Sequence, residues 1–421
     1  MRKLRWIILF VLIALGGGTL WLLLGRESIE EGRCRLVRKK ADPSSQLMGL
    51  AWQFLQPLNG KPESLQSPPA GFDRPCYYQI RSGDRLIPAV VDLTESPNLC
   101  LDTNGDGVLA QEMCFTARHI RETKTSSSSW RFGPISLSCP DSPGNVESRF
   151  YAYGYRTDTP GPLSILPVFY RTGKLRLEGR TYRVALADGD CDGRFNSLLA
   201  LPLERPWRLP ACDVFAIDLN HNGAFEISVS ARSEVMPLGQ LVQIGGDYYA
   251  IGVASDGRGL TLSKTEPQLG TLVLESGDAA VELKLWSDAA DQYLAPGHQW
   301  QLPAGKYMAI DAALEQRDAS GYLRTLPCSS SSAMVHLGPL NFFVIKPGET
   351  TSVRIGSPFT VKADVQQAGQ GEVTINALLV GCAGEEYQVG WRQGGAALPS
   401  PAFKIVDEKG TVLAAGKFEY G

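Results

Sequence analysis

The sequence lacks the short motifs that usually name a reaction. It has no G-x-S-x-G elbow, no G-x-x-x-x-G-K-[ST] phosphate loop and no H-E-x-x-H pair. The common serine-hydrolase, nucleotide-dependent and zinc-protease signatures are therefore missing. Histidine is scarce: His119, His221, His298 and His336 are the four, and none pairs with another at metal-ligand spacing. None of the nine cysteines forms a C-x-x-C pair, which argues against zinc ribbons and thioredoxin-like redox chemistry. Charge of one sign is also lacking. With 41 basic and 44 acidic residues the net charge is −3, and no strongly basic domain points to nucleic acid. Long helical patterns are few, whereas Gly (44) and Pro (27) are abundant. That composition predicts many short strands joined by turns. A chain of 421 residues exceeds one core, so roughly two to four domains are expected.

Three hexamers stand out against this background. Residues 102–107 read D-x-N-x-D-G, residues 188–193 read D-x-D-x-D-G, and residues 218–223 read D-x-N-x-N-G. Oxygen side chains at every second position can converge on one hard cation, and the sixth-position Gly permits the sharp turn back. Asp, Asn and Gly also dominate ordinary turns, so Asx-turns are the competing reading of each hexamer.

The other strong signal is at the N-terminus. Arg2, Lys3 and Arg5 precede an apolar run over residues 6–24. At ~1.5 Å per residue this run spans roughly 28 Å as a helix, close to a bilayer core. The alternative is a signal peptide cleaved near Ala14-Leu15-Gly16, but the apolar run continues past that point. Scattered cysteines on an exported chain predict disulfides. Cys100 and Cys114 bracket the first hexamer, Cys191 lies in the second and Cys212 lies before the third. The expected pairs are Cys100 with Cys114 and Cys191 with Cys212, with Cys34 left over. Buried free thiols are the alternative.

The predicted fold class is mainly β: a membrane-anchored multidomain protein with β-sandwich and immunoglobulin-like modules and calcium loops set in β-structure. Residues 1–25 are read as the anchor or signal segment and 26–75 as a stalk, with a short helix within 47–55. A small α+β region, 76–149, holds the first hexamer, with a helix expected over 109–120. A β domain, 150–265, holds the other two hexamers. A β-sandwich at 266–355 and an immunoglobulin-like β module at 356–421 complete the order. Residues 177–184 and 244–251 echo each other as strand, Gly turn, strand, and 302–307 is a looser third copy.

The hexamers resemble the calcium loops of EF-hand and dockerin-type modules. In that pattern ligands stand at positions 1, 3, 5, 7, 9 and 12. The resemblance implies Asp102, Asn104, Asp106 and the Val108 carbonyl in the first loop. It implies Asp188, Asp190, Asp192, the Arg194 carbonyl and Asn196 in the second. In the third it implies Asp218, Asn220, Asn222, the Ala224 carbonyl and Glu226. Position 12 is Met113, Leu199 and Val229 in turn, so each loop lacks the bidentate Glu, although Glu112 stands one residue early in the first. The implied cofactor is Ca2+.

The functional expectation is an extracytoplasmic, membrane-anchored calcium-binding β-protein. Its predicted localisation puts the bulk outside the cytoplasm, periplasmic or at the cell surface, or secreted if the signal is cleaved. It would act as a surface binding or scaffolding module toward a cell-surface protein or polysaccharide. The membrane is its partner through the N-terminal helix, nucleic acid is not, and no catalytic residue is assigned. The alternative is an exported hydrolase acting on carbohydrate or peptide, with Trp286, Trp300 and Trp391 as candidate sugar-facing aromatics.

Overall fold

Short apolar runs such as Arg85–Asp92 and Arg180–Ala187, rich in β-branched residues and buried along most of their length, follow turns at Gly83 and Gly179 whose backbone is left-handed. A computed structural model describes residues 30–417, apart from 67–70, 95, 110–111, 123–127, 140–145, 156–160, 202–210, 229–231, 318–322, 330–336, 370–371, 388–391, 394–395 and 398–401. The sequence-predicted anchor, His336 and Trp391 lie outside these residues. Among the described residues no helix is long and apolar enough to cross a membrane. Strands make up 58% of the structure and helix 3%, so the protein is mainly β with many antiparallel sheets.

Three pairs of sheets each enclose a core. In the first pair, Pro75–Ser82, Arg85–Asp92, Asn98–Leu101 and Met113–Thr116 form an antiparallel meander. It faces a sheet ordered Gln53–Leu55, Leu163–Pro167, Val146–Tyr155, Ser128–Cys139 and Arg118–Glu122. Ile80, Leu101, Phe132, Phe150 and Ile165 fill the space between. In the second pair, the order Val235–Pro237, Val214–Ile217, Arg180–Ala187, Phe169–Leu177, Val37–Lys40 packs on Leu241–Ile244, Asp247–Val253, Gly259–Thr265 and Arg33–Arg35. Its core includes Leu36, Val184, Phe215 and Leu260. The third pair unites the sheet around Leu269–Glu275 with the one around Gly305–Arg317, over Leu272, Leu283, Tyr307 and Ile345.

The chain nests these units. Residues 33–40 belong to the second sandwich, residues 53–167 build the first, and the second resumes at Phe169. The stretch read as a stalk is therefore largely structural. Its polar strand Val37–Lys40 is exposed at every residue, which is why its sequence resembles a linker. The boundary expected at residue 150 falls inside the strand Val146–Tyr155. The apolar stretch 47–55 divides into the helix Gln46–Gly49 and the strand Gln53–Leu55.

The helix expected over 109–120 is replaced by strands Met113–Thr116 and Arg118–Glu122. Cross-strand pairing of Cys100 with Cys114, which form a disulfide, fixes this segment against its neighbour. The 177–184 and 244–251 echoes are both hairpins, turning at Glu178-Gly179 and Gly245-Gly246. The 302–307 copy is not, because its two strands pair elsewhere. Strands Thr360–Gly369, Glu372–Val380 and Glu386–Tyr387 form one small sheet, and Ala402–Val406 with Val412–Lys417 a separate hairpin. No described core belongs to this region alone; Tyr387 packs into the third sandwich.

Candidate metal centre

Each hexamer leaves the end of a strand. The first lies between Asn98–Leu101 and Met113–Thr116, and the Cys100–Cys114 bond closes its base. The second follows Arg180–Ala187 and the third follows Val214–Ile217. These two strands are antiparallel neighbours, with Ala187 opposite Val214 and Val184 opposite Ile217, so the second and third hexamers sit at opposite ends of one sheet.

All three hexamers share one backbone trace. The first-position aspartate accepts the N–H of the sixth-position glycine: Asp102 from Gly107, Asp188 from Gly193 and Asp218 from Gly223, at 3.2, 3.0 and 2.9 Å. The third side chain accepts the fifth N–H: Asn104 from Asp106, Asp190 from Asp192 and Asn220 from Asn222. The fifth accepts the seventh: Asp106 from Val108, Asp192 from Arg194 and Asn222 from Ala224. Positions four and six are left-handed throughout. Gly105, Cys191 and His221 have φ of 79, 55 and 59°, and Gly107, Gly193 and Gly223 have 75, 90 and 82°. A left-handed backbone costs a side-chain-bearing residue about 1 kcal/mol or more, so two of the loops hold it against that cost.

The sixth glycines differ in surroundings. A methyl group on Gly107 would overlap the Ser64 carbonyl oxygen, whereas nothing lies near Gly223. Gly223→Ala is expected to cost about 1 kcal/mol, the left-handed penalty alone. Gly107→Ala is expected to cost roughly 1–3 kcal/mol more from the overlap. Urea unfolding of the two variants checks this; equal losses would show that Ser64 gives way freely.

Two acidic clusters could hold a metal ion. In the first loop, donor oxygens of Asp102, Asp106 and Glu112 lie within 4.8 Å of one another. In the second, those of Asp188, Asp190 and Asp213 do so. The second is the more enclosed: the exposures of Asp188, Asp190 and Asp213 are 4, 8 and 0%. Burial, then the charges of Asp190 and Asp192, pushes Asp188 well above the usual carboxylate range. Burial, then Asp190 and Asp188, does the same to Asp213. Burial, then Asp190, pushes Asp192 up to about 6. Such a group is strained when fully ionised and is relieved by a proton or a cation. Its donors are all oxygens, which suits hard divalent ions.

Of the sequence-predicted ligands, Asp102 and Asp106 meet in the first cluster and Asp188 and Asp190 in the second. Asp192 is buried beside that second trio without being one of its three members. Asn196, Ala224 and Glu226 are exposed, and the Asn220 amide donates to Glu226 at 3.1 Å. In the third loop Asp218 is buried, while Asn220 and Asn222 are exposed. Asp213, a member of the second trio, was not anticipated. Its sequence signal was faint, a lone Asp next to Cys212.

The second loop also joins two sandwiches. Cys191 is fully buried in the first sandwich's core and Phe195 in the second's. The Ser148 hydroxyl donates to the Cys191 carbonyl at 2.7 Å, and the Gly83 N–H to the Asp192 carbonyl at 2.7 Å. The Arg194 guanidinium forks onto the Asp84 carboxylate at 2.8 and 3.2 Å. Cys191 and Cys212 are both free thiols, which corrects the disulfide expected between them. They point into different clusters, Cys212 packing instead with Leu199, Trp286 and Met308. Comparison with protein-family models, curated proteins and solved structures finds no match to this chain.

Proposed function

We propose that this is a membrane-anchored, extracytoplasmic β-protein whose loops take Ca2+ and whose sandwiches form a binding or scaffolding module at the cell surface. The observation that carries the calcium reading is the shared trace of the three hexamers, combined with buried carboxylate oxygens that lack a donor. Asp188 Oδ1 and Asp218 Oδ1 are both buried without a hydrogen-bond partner. Leaving such atoms unsatisfied is costly, and a cation would satisfy them. Oxygen-rich loops tolerant of irregular geometry suit calcium better than the strictly octahedral magnesium.

The enclosure of the Asp188, Asp190 and Asp213 trio favours a structural ion over a catalytic one, which needs an open position for substrate. That weighs against the hydrolase alternative. Trp286 is buried, and Trp300 donates its indole N–H to the Ala295 carbonyl at 3.3 Å, so neither is a free sugar platform. A broad open depression of about 1120 Å³ is lined by Arg33, Arg35, Lys174 and Arg258 and also by Glu30 and Asp256, which pair with Arg33 and Arg258 and leave an excess of positive charge. Its cations suit an acidic surface partner, a polysaccharide or a protein.

The anchor is proposed from the apolar run of spanning length at residues 6–24. Native protein is expected to stay with the membrane fraction through high-salt and carbonate washes and to leave it only in detergent. Release by carbonate, with an N-terminus beginning near Gly17 or Gly18, would replace the anchor by a cleaved signal.

A further inference from the structure

Each hexamer lacks a carboxylate at position 12, yet each has one close by, in the residue that leads into a neighbouring strand. The ladder places them. Leu101 pairs with Met113, so the next step sets Asp102 against Glu112. Ala187 pairs with Val214, so the next step sets Asp188 against Asp213. In the third loop Ala216 pairs with Val235, which puts Glu234 opposite Ile217, one residue short of Asp218. All three carboxylates make the same contact. Each accepts the N–H of its hexamer's second residue: Glu112 from Thr103 at 3.3 Å, Asp213 from Gly189 at 3.1 Å and Glu234 from Leu219 at 2.7 Å. Repetition in three unrelated stretches argues that the placement belongs to the site.

The second loop carries the argument furthest. Asp213 is fully buried, and one of its oxygens lies within 4.8 Å of donor oxygens on both Asp188 and Asp190. Asp188 is 4% exposed, and its Oδ1 has no donor while its Oδ2 takes the Gly193 N–H. Three carboxylates thus crowd together, and one oxygen of Asp188 has no hydrogen-bond partner. Gly189 is required for this approach, because a methyl group there would overlap the Cys212 carbonyl oxygen and press on Val214.

We propose that Asp213 is a direct ligand of the second cation site, taking the place of the missing twelfth-position carboxylate from across the strand ladder. The site is then formed by two chain segments, with Asp188 and Asp190 from the hexamer and Asp213 from the start of the next strand. The cation closes the strand pair as well as the loop. This inference rests on the calcium reading given above and adds the ligand that reading lacked.

The rival role for Asp213 is positioning alone. Its Oδ1 holds the Gly189 N–H, and its Oδ2 holds the Ser197 N–H at 2.7 Å. Asp213→Asn separates the two roles through the ions bound: its single amide oxygen keeps one of the two N–H contacts, while the variant brings no negative charge to a cation. The test uses detergent-solubilised full-length protein, with calcium chloride as the only ligand. Bound ions are counted by native mass spectrometry, affinity is measured by calorimetry, and melting is followed in chelator. Loss of one bound calcium from the count is expected; a weakening of roughly 10–100-fold with the full count retained is what a positioning residue gives and would overturn the inference. Unchanged calcium count and affinity, with lower melting in chelator, would overturn the inference in favour of positioning. Absence of any calcium binding by the unsubstituted protein would instead remove the calcium reading itself.

Discussion

Millimolar calcium is expected to raise the melting temperature of the full-length protein, and chelator to lower it, by more than any single surface substitution does. The reason is electrostatic. Asp188, Asp190, Asp192 and Asp213 are all buried within one small region, where like charges repel and burial removes the water that would screen them. A cation that binds only the folded form stabilises it by ~2.7 kcal/mol at one hundred times its dissociation constant. Two or three such sites add further, although several sandwiches need not melt as one transition. Asp190→Ala is expected to remove most of the second loop's share. Coincident melting curves in chelator and in calcium would reduce the hexamers to ordinary Asx-turns.

Removal of the Cys100–Cys114 bond has an effect of similar size. The bond closes a ring around the first hexamer between residues 14 positions apart. On the chain-entropy account a ring of this size contributes ~3 kcal/mol by restricting the unfolded chain. The Cys100→Ser, Cys114→Ser double variant should unfold at distinctly lower denaturant, and its first loop should bind calcium less tightly. The loop's ends would then be held only by the short strand pair Asn98–Leu101 and Met113–Thr116. Equal midpoints for the variant and the oxidised parent would show that strand pairing alone suffices. Mild reductant should reproduce the loss without touching Cys191 or Cys212, which are unpaired and buried.

Local chemistry was legible in the sequence and long-range pairing was not. The hexamer turns could be read because the residues that form them lie within a few positions of one another, and the Gly107, Gly193 and Gly223 turns follow from backbone sterics alone. Mainly β architecture followed from composition and from runs such as Arg180–Ala187. Asp213 was invisible because its relation to Asp188 depends on the register of two strands separated by a long loop. The strands Arg33–Arg35 and Val37–Lys40 were lost because edge strands with polar faces read as linkers. The segment 109–120 misled because a short run of mixed apolar and polar residues has no decisive period, and its cross-strand cysteine partner settled the outcome.

The nesting of one sandwich inside another dictates an order of assembly. A chain emerging from its N-terminus presents Arg33–Arg35 and Val37–Lys40 first, but their partners, Gly259–Thr265 and Phe169–Leu177, come much later. The inner sandwich, complete by Pro167, has all its strands available while the outer one still lacks most of its own. Domains fold as units during synthesis, so the inner one forms first and draws residues 40 and 169 together. That early closure shortens the effective loop the outer sandwich must bridge, and with it the entropic barrier to pairing its earliest strands with its latest.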